Sequence, residues 1–474
     1  MLKARWYCQI ITIFKKDNPL IISYLKSIGS LVVLFSAFFI FNVGSAQHFH
    51  ISTKKKFEKV RFELVNNLMV VPVELNGTKL KFILDSGVNS PILFNLTQED
   101  SIQINKVSQI SLRGLGEGEP IEALKSVENT FKIGGAVSYD QMLYVVLDKD
   151  LNFSTSLGIP VHGIIGYDLF KDFVVEANYA KQTLKFYNPE NYEYKPSNKR
   201  ETIPLSIIGN KAFVDGAITR EDDTEIPVKL LVDTGSSDAL WLFHNPEKGL
   251  EIPDINYEDF LGKGLSGNIF GKRTKLKGMR IGSFEFNEAK AAFPYEASFY
   301  AIKNLGDRNG SVGGEVLKRF NIIFDYPNNK ISLTKNASFN DPFQYNLAGI
   351  DLQHNGVRYI SEQITDPRGV VNSQPKETFG NVQILMQNRT RLSLVPEIIV
   401  SGIRAGSPAA EAGLKEGDVI LAVNGKRVHD YKLQEILEML NERKGKRVRV
   451  LIERYDRDIL YSFVLKDLFE TKKP

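Results

Sequence analysis

The sequence predicts a mainly β chain: one duplicated unit, followed by a smaller domain that mixes strands and helices. Three observations carry that prediction. Two segments copy one another, ILDSGVNSPILF from Ile83 to Phe94 and LVDTGSSDALWLF from Leu231 to Phe243, with Asp85 and Asp233 lying 148 residues apart. Both copies are dense in Val, Ile, Leu and Phe in short alternating runs, the period of strands rather than helices. Near residue 343 the pattern changes to one with a capped helix and a second, amphipathic one.

The repeat extends on both sides of each aspartate. Upstream, LMVVPVELNGTKLKFILDSG places an Asn76-Gly77 turn between two apolar runs, and KAFVDGAITREDDTEIPVKLLVDTG has a longer polar turn, so each Asp sits at the exit of a hairpin strand. Downstream, GIIGYDLFKDF from Gly163 matches GSVGGEVLKRF from Gly310, with short helical turns expected at Tyr167 to Lys171 and Glu315 to Arg319. Between them lie glycine-rich hairpin tips, Gly114-Leu115-Gly116 and Gly264-Leu265 with Gly267, which read either as flaps closing over an extended substrate or as ordinary surface turns.

Two equivalent carboxylates brought together cannot both ionise, so one keeps a proton while the other acts as a base. Such a pair can activate water, protonate a leaving amine and stabilise an oxyanion without a covalent intermediate. A lone Asp-Thr-Gly is a common turn. Two of them, with matched flanks, point to one paired site.

Composition narrows the alternatives. The 474 residues allow about three domains at roughly 150 residues each. The 60 basic and 56 acidic residues nearly balance, which gives no footprint for nucleic acid. The single cysteine, Cys8, falls in the N-terminal leader, so disulfides, zinc-thiolate sites and a cysteine nucleophile are excluded from the remainder. The six histidines form no metal-binding spacing, and neither a metal nor a cofactor is expected.

The leader itself reads as an export signal. Lys3, Arg5, Lys15, Lys16 and Lys26 precede an apolar stretch from Ile28 to Val43, and Gly44-Ser45-Ala46 offers small residues for cleavage. That stretch, broken by Gly29, Ser30, Ser36 and Asn42, is short of the ~20 residues needed to span a bilayer. The competing reading is an uncleaved membrane anchor. Residues 47–60 read as a short activation segment or as the first strand.

At these residues the chain resembles the retropepsin-type aspartic proteases, duplicated into one chain as in the pepsin-like enzymes. The resemblance rests on ILDSG, LVDTG, GIIG and GSVG and covers roughly Val60 to Lys335. It implies two homologous β-barrel lobes in one bilobal unit, residues 47–188 and 205–335, joined by a polar linker at 189–204. It further implies Asp85 and Asp233 as the catalytic dyad. Ser86 and Thr234 would tie the two loops by reciprocal hydroxyl-to-backbone bonds, and Gly87 and Gly235 would permit their close approach. Two departures stand out. Val88 follows the first Asp-Ser-Gly where the second copy has Ser236, so a Ser236 hydroxyl bond to Asp233 would have no partner at Asp85, and activity at mildly acidic to neutral pH is expected. Ser311 replaces an apolar residue, which would loosen packing under Asp233.

In the last third, SGIRAGSPAAEAGLKEGDVILAVNGKRV from Ser401 reads as strand, helix capped by Ser407 with Pro408 first and Gly413 last, strand, and an Asn424-Gly425 turn. Leu433, Ile436, Leu437 and Leu440 then define one helical face. This resembles a PDZ domain, residues 343–470, which implies capture of a peptide by strand addition, with Gly349-Ile350-Asp351-Leu352 as the candidate carboxylate-binding loop. A polar insertion from about Gln353 to Val395 departs from the compact pattern. Trp241 reads as core or as a pocket wall, and the cluster from Lys272 to Arg280 as a solvated hairpin face.

The resulting expectation is an exported, periplasmic or extracellular aspartic endopeptidase. A monomer suffices for its activity, its partners are peptides, and it touches a membrane only if the leader is uncleaved. The alternative is a catalytically inactive peptide-binding scaffold.

Overall fold

The computed structural model describes residues 48–96, 101–148, 151–299, 306–364, 389–467 and 469. The leader and residues 365–388 of the polar insertion lie outside the described residues. The molecule is mainly β, with two β-rich lobes and a PDZ domain.

The two lobes share one strand order. In lobe one the sheet runs Glu63–Val65, Leu68–Leu75, Thr78–Leu84, Gly163–Ile165, Ile92–Leu93, Ala136–Val146, Ile121–Ile133, Ser108–Leu112. In lobe two it runs Ser206–Ile208, Lys211–Thr219, Glu225–Val232, Gly310–Val312, Leu240–Leu242, Phe284–Pro294, Gly267–Ile281, Asn256–Gly264. Each sheet curls until its second and seventh strands meet, Glu74 opposite Lys132 and Gly216 opposite Ile281. The expected upstream hairpins are present, and Asn76 and Gly77 both take positive φ, 49° and 90°, the twist a two-residue hairpin needs.

A six-stranded sheet joins the lobes, in the order Glu58–Arg61, Thr183–Tyr187, Val174–Asn178, Phe320–Asp325, Lys330–Lys335, Arg200–Pro204. Its central pair is antiparallel, Val174 opposite Asp325 and Asn178 opposite Asn321, so the repeats meet across an approximate twofold axis. Two sequence expectations are refined here. Glu58–Arg61 is a strand, with Phe49 and Ile51 buried beside it in the core. The segment expected as linker ends in a strand, Arg200–Pro204, because Thr202 and its neighbours pair with the edge Lys330–Lys335. One apolar core runs through both lobes and the joining sheet.

The C-terminal domain has its own core. Strands Ile350–Ile364, Arg389–Ile403, Val419–Val423, Arg447–Arg454 and Arg457–Val464 form its sheet. The ends of the polar insertion are thus the outer part of a long antiparallel ribbon, Tyr359 opposite Leu394. Ser407 caps helix Pro408–Ala412 by accepting from the Ala410 amide, and Gly413 closes it at φ 100°. Helix Leu433–Leu440 buries Leu433, Ile436 and Leu440, while Leu437 is only partly buried and borders a cavity.

Candidate active site

Each candidate aspartate follows a strand that is locked by a parallel neighbour. Leu84 pairs with Ile165 and Val232 with Val312, and the Asp85 and Asp233 amides donate to the carbonyls of those two partners at 2.8 and 3.0 Å. The two loops then interlock. The Ser86 amide donates to Thr234 Oγ1 at 2.9 Å and the Thr234 amide to Ser86 Oγ at 3.0 Å. The hydroxyls donate onward across the junction, Ser86 Oγ to Val232 O at 2.6 Å and Thr234 Oγ1 to Leu84 O at 2.7 Å. All four are buried bonds, so breaking one leaves a polar group without water.

This interlock brings the carboxylates together. Both Oδ1 atoms lie near one point beside Gly87, where a Cβ would stand 3.1 Å from that of Asp85 and 3.3 Å from that of Asp233. At Gly235 a Cβ would lie 2.1 Å from Asp85 Cγ, so no side chain fits there. The Gly87 amide donates to Asp85 Oδ1 at 2.7 Å and the Gly235 amide to Asp233 Oδ1 at 3.1 Å.

Burial, and next the charge of Asp233, push Asp85 up to about 7, against the Gly87 amide and Lys211. Burial raises Asp233 as well, opposed by Arg308, the Gly235 amide, Lys211 and the Ser236 amide. Lys211 bears on both carboxyls and Arg308 on Asp233 alone, an asymmetry that favours the shared proton on Asp85 and the charge on Asp233.

The expected departures resolve in main-chain terms. Among the described residues the Ser236 hydroxyl makes no hydrogen bond to Asp233, and the Ser236 amide donates to the Asp233 main-chain carbonyl at 3.4 Å. Val88 keeps the main-chain bond of its loop. Its carbonyl accepts from the Tyr167 amide at 3.0 Å just as Ser236 O accepts from Gly314 at 2.7 Å, and its side chain packs on the lobe-one apolar cluster. Ser311 is 2% exposed beneath Asp233, with Val312, Val316, Leu317 and Phe320 all in the core.

The two glycine-rich tips meet over the cleft. Gly114 N–H donates to Ser266 Oγ at 3.0 Å, Ser266 N–H to Leu115 O at 2.9 Å and Gly118 N–H to Ser266 O at 2.6 Å. A Cβ on Gly116 would stand 2.4 Å from the Ser266 carbonyl carbon, and its φ of 125° also suits glycine. The tip leucines cross over: Leu115 packs with Trp241, Leu261 and Ile269 of lobe two, and Leu265 with the lobe-one cluster.

One expectation needs correcting. Arg273, placed by sequence on a solvated face, is 8% exposed and bonds Asp238 Oδ1 at 2.7 Å and Asp259 Oδ2 at 2.8 Å. Asp238 also accepts from Trp241 Nε1 at 2.8 Å and pairs with Lys290 at 3.4 Å. Arg273 and Lys290 hold the Asp238 carboxyl well below the usual range despite its burial. The network clamps the Asp233 loop to the lobe-two flap hairpin. An aspartate five residues past Asp233 and an arginine at alternating positions in the flap strand were the only sequence signals for it.

The PDZ domain borders the same cavity. Its volume is about 2090 Å³, and its lining includes Asp85, Asp233, both flap tips, and Asp351, Leu352 and Leu437 of the PDZ domain. The loop at Gly349-Ile350-Asp351-Leu352 is not an open carboxylate site. The Gly349 and Ile350 amides donate to Asn346 Oδ1 at 2.8 and 3.2 Å, and Ala348 donates to Asn441 Oδ1 at 3.2 Å. Burial and neighbouring Asp259 raise Asp351 to about 6.

Two family models match the chain. Residues 71–169 match the aspartyl protease family, and residues 399–454 match the PDZ domain family. The chain therefore carries an aspartyl protease domain and a C-terminal PDZ domain. A probable DegP-like periplasmic serine endoprotease of Chlamydia trachomatis is 39% identical over 69 residues, 15% of this chain and 13% of that protein. A putative Do-like protease 14 of Arabidopsis thaliana is 33% identical over 82 residues, 16% of this chain and 17% of that protein. The chain thus spans less than a fifth of the curated relatives it matches. The aspartic proteinase of Irpex lacteus is similar at a TM-score of 0.37 and 14% identity, over 60% of this chain and 99% of that one.

Proposed function

We propose that the protein is an exported aspartic endopeptidase. Residues 1–46 would direct export, lobes 47–188 and 205–335 would build the catalytic cleft, and the PDZ domain over 343–470 would hold an extended segment of the substrate. The observation that carries this reading is the pair of aspartates joined by reciprocal Ser86–Thr234 bonds, with glycine-tipped hairpins meeting above them.

The chemistry follows from the asymmetry of the pair. Water between the carboxylates loses a proton to Asp233 as its oxygen adds to the scissile carbonyl, while Asp85 gives its proton to the carbonyl oxygen. The resulting gem-diol returns one hydroxyl proton to Asp85 as the C–N bond breaks, and Asp233 passes its proton to the leaving nitrogen. The products are a carboxylic acid and an amine, and the dyad is regenerated. No acyl-enzyme forms, so no serine or cysteine nucleophile is needed. With the Gly349 and Ile350 amides already bonded, the PDZ groove suits an internal extended segment better than a free carboxy terminus.

The test is cleavage of an unfolded protein by the chain without residues 1–46, beside folded Asp85→Asn and Asp233→Asn variants. Loss of cleavage in both variants supports a dyad drawn from the two repeats. Undiminished cleavage in either removes it.

A further inference from the structure

The two walls of the cleft descend from one repeat, so a residue on one wall has a counterpart on the other. Lys211 opens the second strand of lobe two where Leu68 opens that of lobe one. Arg308, two residues before Gly310, stands where lobe one has Val161, two residues before Gly163. Leu68 and Val161 belong to a buried apolar cluster. Lys211 and Arg308 are half-buried and both line the cavity that contains the dyad.

Arg308 is held in place. Its Nε donates to Gly310 O at 2.9 Å and its guanidinium lies over the Phe243 ring at 5.1 Å, which leaves the terminal nitrogens for another acceptor. Neither cation forms an ion pair among the described residues. Burial lowers both, and each cation's charge is only partly offset by the dyad. The dyad, sharing a proton, carries about one negative charge against two positive ones. The Lys211–Arg308 corner of the lobe-two wall therefore keeps a positive charge that the dyad does not cancel, in a partly desolvated site where a carboxylate gains most from charge-assisted bonds.

We infer that Lys211 and Arg308 form an anion-binding subsite that selects peptides carrying an aspartate or glutamate side chain beside the scissile bond, on the Asp233 side of the cleft. This rests on the proteolytic reading above and names its substrate class. Cleavage-site profiling of a peptide mixture comes first, then paired peptides that differ only in Glu or Gln at that position. The expected result is a preference of roughly tenfold or more for Glu in kcat/KM, the scale of a hydrogen bond to a charged group. In Lys211→Leu and Arg308→Val, which install the lobe-one residues, that preference should shrink while Gln peptides are affected less.

A role confined to tuning the dyad predicts otherwise: both peptides would lose rate equally and the pH profile would move. That result overturns the proposal. Affinity for uncleavable reduced-amide versions of the two peptides separates the two readings. Glu-selective binding without any cleavage leaves the subsite standing and defeats the proteolytic reading. Equal binding of Glu and Gln, or binding of neither, defeats the subsite.

Discussion

Lobe one and lobe two share their strand order, their aspartate loops and their flaps, yet present different walls to the same cleft. Lobe one offers Leu68, Ile83, Ile92, Tyr144, Leu157 and Ile164, whereas lobe two offers Lys211, Arg308, Asp238 and Arg273 around Trp241. What the repeat preserved is main-chain geometry, namely the reciprocal grip, the parallel strand pairs and the glycines. What diverged is the set of side chains beyond it. The two aspartates are equivalent in the repeat and unequal in environment, and that inequality, Arg308 bearing on Asp233 alone, favours the proton on Asp85.

The largest effect should fall where the lobes are equivalent. Asp85→Asn and Asp233→Asn should each lower kcat by about a thousandfold or more, since general acid–base catalysis supplies factors of this order. Steady-state kinetics on a defined peptide would show it, and a tenfold loss in one variant would make the dyad functionally one-sided.

Next in size is the clamp found only in lobe two. Arg273→Ala leaves Asp238 buried with Lys290 as its remaining ion-pair partner, and should cost ~3–5 kcal/mol in urea unfolding, the penalty of a broken buried ion pair. A loss below ~1 kcal/mol would mean that Lys290 alone suffices.

The grip should give a smaller and more even response. Ser86→Ala and Thr234→Ala each remove a hydroxyl that accepts from one amide and donates to one carbonyl. Each should cost ~1–3 kcal/mol, since a buried partner is left unsatisfied. Markedly unequal costs would show that the junction does not follow the repeat.

The subtlest difference is in pH dependence. Asp85, raised from 3.8 to about 7, keeps its proton in the fold where the unfolded chain has released it. The stability this confers is full below 3.8 and is lost as pH rises through about 7. Asp85→Asn does not titrate, so its Tm should gain a few degrees on the wild type between about pH 4 and about pH 8. A Tm difference independent of pH would contradict the raised carboxyl.

Much of this was legible in the sequence because it is local. The Asn76-Gly77 hairpin, the Ser407 and Gly413 caps, and the turns after Gly166 and Gly313 are set by residues a few positions apart. So were the aspartate loops, since a duplicated turn declares its own partner. What was not legible depends on long-range packing. Arg200–Pro204 has no apolar alternation of its own and becomes a strand by pairing with an edge formed far downstream. Arg273 looks like its basic neighbours, and only the placement of Asp238 and Asp259 distinguishes it. Lys211 and Arg308 are isolated basic residues in the sequence, and strand pairing is what sets them in the cleft at the positions of Leu68 and Val161. Asn346 ties the Gly349 and Ile350 amides locally, but the Ala348 amide beside them is taken by Asn441, at the far end of a helix.

The most direct test of a shared-proton dyad is the pH dependence of kcat/KM for one good peptide substrate, measured from about pH 3 to about pH 9. The account predicts activity that is highest at mildly acidic to neutral pH and falls on the alkaline side as the pair loses its proton near the value of about 7 held by Asp85. A sharp optimum near about pH 2 to 3, or a rate still rising at about pH 9, would contradict it.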